Sequence, residues 1–136
     1  MSIALHNILY KYQAVARLEM DDVLPIIGTK KTRHLFEGTD HPVNVKSLRL
    51  LTFKFKGTNC VKCNAVGTHF IIASGRDLEY HLCLVAIMPD GTEVLMTKDH
   101  IKPKAKGGLD RLENMQPMCS ICNFEKQDYY EDLANT

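Results

Sequence analysis

Two Cys-x-x-Cys pairs constrain the fold of this chain more than any other feature of its sequence. Cys60 and Cys63 form the first pair, and Cys119 and Cys122 form the second. A two-residue spacer lets both thiolates of a pair approach one ion, and two such pairs complete a tetrahedron. We therefore expect a structural zinc ion, held by all four side chains, that joins two distant parts of one domain.

A thiol-redox role is the alternative use of such pairs. It fits this sequence less well, because there are two pairs and no surrounding βαβ pattern. The fifth cysteine, Cys83, lies in the apolar run HLCLVAIM and is expected to be a small buried hydrophobic residue.

No signal-peptide layout and no apolar run of membrane-spanning length is present, so we expect a soluble cytosolic protein without a membrane partner. In that compartment, cysteine pairs favour metal binding over disulfides.

Charge is distributed unevenly along the chain. The 136 residues carry a formal net charge of +1, which does not indicate a binder that relies on overall positive charge. The loop PKAKGG and its neighbours nevertheless concentrate Lys102, Lys104 and Lys106. A local basic patch beside a candidate metal site favours a partner that contains phosphate.

Hydrophobic periodicity divides the chain into two predicted parts. Apolar residues at helical spacing predict a helix over residues 2–19, and the remainder of residues 1–43 has no assignable fold or role. Asn44 is the expected N-cap of a second helix, which Gly57 closes. Its apolar side is predicted to carry Val45, Leu48, Leu51, Thr52 and Phe55. A second domain is predicted over residues 44–136.

Beyond the first cysteine pair the pattern changes to that of strands. Strands are predicted over residues 69–73, 80–88 and 93–100, and Asp-Gly at 90–91 predicts a hairpin between the last two. The segment PKAKGG must be a loop, and a last helix is predicted from Ser120 through Glu131. These elements predict an α+β fold.

The stretch MTKDHIKPKAKGGLDRLENMQPMCSICN places ligand-type side chains close together in sequence. Asp99 and His100 are neighbours near a strand end, so one can bind a cation while the other faces a substrate. Asn123 directly follows a zinc cysteine, which would hold its backbone rigidly. A carboxylate and an amide oxygen suit a hard cation such as Mg²⁺, which leaves His100 free to act as a general base.

DHIKPKAKGG followed by ENMQPMCSICN resembles the motif of the HNH, or ββα-metal, endonuclease family, in its zinc-knuckle-containing, free-standing form. The resemblance covers about residues 58–126 and implies a ββα-metal core stapled by the four-cysteine zinc site. It implies that His100 activates water as general base, and that Asp99 and Asn123 bind a catalytic divalent ion. Asn114 would hold the loop and orient the imidazole. Because the last position is Asn rather than His, Mg²⁺ or Mn²⁺ is favoured over softer ions.

The function implied by this resemblance is metal-dependent hydrolysis of DNA phosphodiester bonds. A monomer would nick, and a homodimer or larger complex would cut both strands. Lys102, Lys104, Lys106 and Lys126 are expected to contact DNA phosphates. Such proteins occur in bacteriophages and bacteria, so the expected location is the cytoplasm of a bacterial cell or phage-infected host. Two alternatives stay open: a non-catalytic zinc module that binds nucleic acid or protein, and a nuclease subunit active only within a larger complex.

Overall fold

The computed structural model describes residues 13–74 and 79–126, which form a mixed α+β fold as predicted. None of the helices in these two ranges is long and apolar enough to cross a membrane. In chain order the elements are β1 (Gln13–Glu19), α1 (Met20–Val23), β2 (Arg33–His34), β3 (Val43–Asn44), α2 (Leu48–Lys56), β4 (Val66–Ser74), β5 (Tyr80–Ile87), β6 (Glu93–His100), β7 (Met115–Cys119) and α3 (Ser120–Lys126), with short 3₁₀ turns at Lys104–Lys106 and Leu112–Asn114.

An antiparallel five-stranded sheet, in the order β1-β4-β5-β6-β7, forms the frame of the fold. The predicted hairpin between β5 and β6 is confirmed. Its turn closes with a 2.7 Å hydrogen bond from the amide of Met88 to the carbonyl of Thr92, and Gly91 has a φ of 89°. That left-handed conformation explains the preference for glycine at this position. The β6 strand has the bounds predicted from the sequence.

The prediction of a helix over residues 2–19 is wrong for the part that the structure describes. Residues 13–19 form β1, which pairs antiparallel with β4, so that Arg17 lies opposite Ile71 and Leu18 opposite Phe70. The physical reason is a non-local one. Ala16 and Leu18 alternate toward the core along an edge strand, and this pairing overrides the helical spacing. Residues 2–12 lie outside the described ranges.

Helix α2 forms close to its predicted position, but its cap and its buried face differ from the prediction. Ser47, not Asn44, is the N-cap, and its Oγ accepts a hydrogen bond from the amide of Leu50. Asn44 instead accepts a bond from the amide of Lys46, which makes a local turn. The residues that α2 buries are Leu50, Thr52 and Phe53, whereas Phe55 is 61% exposed. Gly57 ends the helix, as predicted, with a φ of 112°.

The main core joins the beginning and the end of the described chain. Val23 and Ile27 are fully buried in the same cluster as Phe53, Leu84 and Met118. Residues 13–43 therefore share both a sheet and a core with the residues that follow, and the division of the chain at residue 43 stays a prediction. The last predicted helix is observed as α3, and its predicted continuation past residue 126 lies outside the described ranges.

Candidate functional site

The two cysteine pairs come together, as the sequence predicts. The four Sγ atoms lie within 4.8 Å of one another. The first pair sits on a tight turn between α2 and β4, in which Asn64 adopts a φ of 63° and its amide donates to the carbonyl of Cys60. The second pair joins the end of β7 to the first turn of α3, where the amide of Cys122 donates to the Sγ of Cys119. The cluster could hold one zinc ion.

The protonation chemistry of the cluster fits such an ion. Burial acts to raise the pKa of Cys60, but nearby backbone N–H groups outweigh it and lower that pKa to about 7. Burial raises the pKa of Cys119 to about 11 and that of Cys122 well above its usual value, and the charge on Cys60 adds to both shifts. Four thiolates packed this closely need a cation to balance their charge. The buried Ser120 Oγ, which has no hydrogen-bond partner in the described ranges, is a spare donor next to Cys119 in the chain.

Strands β6 and β7 and helix α3 form one ββα unit around the predicted catalytic residues. Antiparallel pairing sets Asp99 opposite Gln116 and His100 opposite Met115. Because β7 runs directly into α3, that helix packs back against β6. The side-chain Nδ2 of Asn123 on α3 donates to the Thr97 hydroxyl at 2.7 Å and to the Lys98 carbonyl at 3.2 Å. The helix therefore holds Asn123 at the end of the strand that carries Asp99.

Asp99 is a buried carboxylate with both of its hydrogen bonds on one oxygen. Its Oδ2 accepts from Gln116 Nε2 at 2.9 Å and from Lys126 Nζ at 2.5 Å. Its Oδ1 makes no hydrogen bond within the described ranges, and neither does the Oδ1 of Asn123. One carboxylate oxygen and one amide oxygen are thus available on neighbouring elements. These two oxygens are ligands of the kind that a hard divalent cation such as Mg²⁺ or Mn²⁺ prefers.

Lys126 lies inside this site. Its ammonium also donates to the carbonyl of His100 at 2.8 Å, and its side chain is only 11% exposed. The three other lysines predicted to contact DNA, Lys102, Lys104 and Lys106, are exposed on the loop that follows β6. The four lysines thus occupy two different environments.

His100 has a partner that sequence reasoning missed. Its Nε2 lies 2.6 Å from Asp110 Oδ1, and Asp110 Oδ2 lies 3.0 Å from Lys104 Nζ. Hydrogen bonds from His100 and Lys104 hold the pKa of Asp110 below its usual range. An ionised carboxylate can only accept, so Nε2 donates in this contact, and the neutral tautomer that fits it has its lone pair on Nδ1. The available sequence signal was an acidic residue within a lysine-rich loop.

Asn114 bonds to the loop backbone rather than to the imidazole. Its side chain accepts from the amide of Lys102 at 2.9 Å and donates to the carbonyls of Lys102 and Leu109, both at 3.0 Å. Both ends of the amide are therefore used in holding the loop closed. In the described ranges, the side-chain partner of His100 is Asp110, so any effect of Asn114 on the ring passes through the loop.

Gly108 is where this loop closes most tightly. A Cβ at this position would lie 1.7 Å from the carbonyl oxygen of Lys102. We expect Gly108→Ala to displace the loop and to lower stability more than Gly107→Ala. At Gly107 the nearest atom is 3.9 Å away, and the cost is that of a left-handed residue, about 1–2 kcal/mol. Urea unfolding of both variants measures the difference, and equal losses of stability would contradict the prediction.

Comparison with known proteins finds one matching family model. Residues 89–128 match the family model described as HNH endonuclease. No curated protein and no solved structure matches the chain. The matched residues include the loop, the second cysteine pair, α3, and all four predicted catalytic residues. Residues 89–128 thus carry an HNH endonuclease domain match that covers the ββα unit, and the four-cysteine cluster is consistent with a zinc knuckle.

Proposed function

We propose that the protein is a metal-dependent DNA endonuclease, with His100 as general base and with Asp99 and Asn123 as ligands of a divalent ion. The HNH match implies a nuclease-type function acting on DNA. One observation supports the finer proposal most strongly. Asp99 and Asn123 each keep one oxygen free of hydrogen bonds within the described ranges, at the strand end that carries His100.

Each group has a defined task in hydrolysis. A divalent ion at the two oxygens would neutralise the charge that develops on the leaving oxygen. Nδ1 of His100 takes a proton from the attacking water, because Nε2 already carries one that it donates to Asp110. Asp110 then stabilises the positively charged ring that forms. The exposed Lys102 and Lys106 are free to contact phosphates on either side of the cleaved bond without reading sequence.

The test is cleavage of supercoiled plasmid by the zinc-loaded chain. We expect product in Mg²⁺ or Mn²⁺ and none in EDTA. Nicked circles as the first product indicate one active site acting alone, and linear DNA as the first product indicates two sites acting together. A folded, zinc-loaded protein that cuts no duplex, single-stranded or branched DNA in either metal would contradict the proposal and would favour a non-catalytic zinc module.

Asp110→Asn is expected to separate turnover from DNA binding. The amide can still accept from Nε2, but loss of the negative charge beside the His100 ring should lower the single-turnover cleavage rate by about tenfold. The effect is modest because the Asp110 side chain is 51% exposed to screening solvent. DNA affinity should rise slightly, since Lys104 loses its counter-charge.

The matched control for Asp110→Asn is Asp90→Asn, which changes an exposed aspartate in the β5–β6 turn. Single-turnover rates and DNA dissociation constants are measured for both variants. An unchanged cleavage rate in Asp110→Asn would show that the contact with His100 has no part in catalysis.

A further inference from the structure

We propose that Lys126 makes divalent-ion binding at Asp99 depend on bound DNA. This inference rests on the proposed function, because it concerns the same site. Lys126 and Asp99 form an ion pair whose side chains are 11% and 6% exposed, so solvent screens it weakly. Asn123 adds no charge. The group that would hold the ion therefore has no net charge of its own.

Charge balance determines how such a site binds metal. The affinity of a site for a hard cation rises with the number of its negatively charged ligands. Here Lys126 cancels the single negative charge that Asp99 supplies. An ion at Asp99 is thus bound weakly by the protein alone. A DNA phosphate brings the missing negative charge to both the ion and the ammonium. Thermodynamic linkage makes the two effects equal. If bound DNA raises the affinity for the ion by a given factor, the bound ion raises the affinity for DNA by the same factor.

The position of Lys126 is built into the fold. Its ammonium is held at two points, by Asp99 Oδ2 and by the carbonyl of His100. The helix that carries it is anchored through Cys122 in the cysteine cluster. Occupation of Oδ2 also leaves Oδ1 as the oxygen available to a cation. Lys126 is therefore a positioning residue for Asp99, as well as a charge that opposes the ion.

Mn²⁺ binding measured by calorimetry and by electron paramagnetic resonance tests this inference. The variants are Lys126→Gln, which removes the charge, and Lys126→Arg, which keeps it. A His100→Ala background prevents cleavage when a short duplex is added. Without DNA, we expect Lys126→Gln to bind Mn²⁺ on the order of tenfold more tightly than the Lys126 protein, because one repulsive charge is gone. Lys126→Arg should resemble the Lys126 protein, and the enhancement by DNA should shrink in Lys126→Gln.

The sign of the effect distinguishes this role from a structural one. If Lys126 only supported the fold, its replacement would weaken Mn²⁺ binding or leave it unchanged, and either result would overturn the inference. Cleavage of plasmid by the parent chain is measured in parallel. If the parent chain cuts DNA but Lys126→Gln gains no Mn²⁺ affinity, only this inference fails. If the parent chain neither cuts DNA nor binds Mn²⁺ in its presence, the proposed function fails with it.

Discussion

His100→Ala is expected to lower the rate of plasmid cleavage by about 10²–10⁴-fold in Mg²⁺ or Mn²⁺. The variant removes the ring whose Nδ1 would accept the proton of the attacking water. It leaves in place the oxygens of Asp99 and Asn123 and the exposed lysines of the loop. DNA affinity and metal affinity should therefore change little, and the loss should fall on the chemical step.

Single-turnover cleavage and DNA binding in Ca²⁺ separate these quantities. The matched control is His34→Ala. His34 lies in β2, outside the ββα unit, and its ring packs edge-on against Phe36. Circular dichroism and zinc content verify that both variants fold. A folded, zinc-loaded His100→Ala protein that cuts at the parent rate would remove His100 from the mechanism.

Cys60→Ser is expected to unfold the domain rather than only slow cleavage. Apparent binding free energies of structural zinc are about 10–16 kcal/mol in zinc-finger peptides at neutral pH. That range is as large as the whole net stability of a typical domain, about 5–15 kcal/mol. Cys60 is 1% exposed and belongs to the main core, so loss of the ion also loosens packing there. Strong chelators should have the same effect on the parent chain.

Zinc content by mass spectrometry and thermal unfolding by circular dichroism test this expectation. Cys83→Ala is the control, because Cys83 is buried in β5 outside the cluster. It should keep its zinc and its cooperative transition. Acid should act in the same direction as Cys60→Ser: the thiols must lose protons to bind zinc, so zinc affinity falls as pH falls. A soluble, folded and zinc-free Cys60→Ser protein would contradict the prediction.

Local signals account for what the sequence predicts well. The Asp90–Gly91 turn and the β-branched runs around it specify the β5–β6 hairpin through residues adjacent in the chain. The β1 strand is different, because its partner β4 begins almost 50 residues further along. No local pattern carries that pairing. The choice of Ser47 over Asn44 as helix cap likewise depends on how the chain enters α2, which packing decides.

The site shows the same division. Asp99, His100, Asn114 and Asn123 were predicted from their resemblance to a motif, and the structure places Asp99, His100 and Asn123 around one strand end. The partners of these residues were not predictable. Lys126 reaches Asp99 across 27 residues of sequence, and Asp110 reaches His100 across a loop whose path depends on Asn114. Such contacts between charged groups depend on the three-dimensional path of the chain, which residue composition and spacing do not determine.

The described part of helix α3 spans seven residues, and these include a cysteine of the cluster, a predicted ligand of the divalent ion and the lysine that pairs with Asp99. Successive residues on a helix are rotated by about 100°. One residue inserted after Cys122 would turn Asn123 and Lys126 away from β6 while the cysteine cluster stayed intact. The spacing between the two sites is therefore as strict a requirement as the identity of the residues.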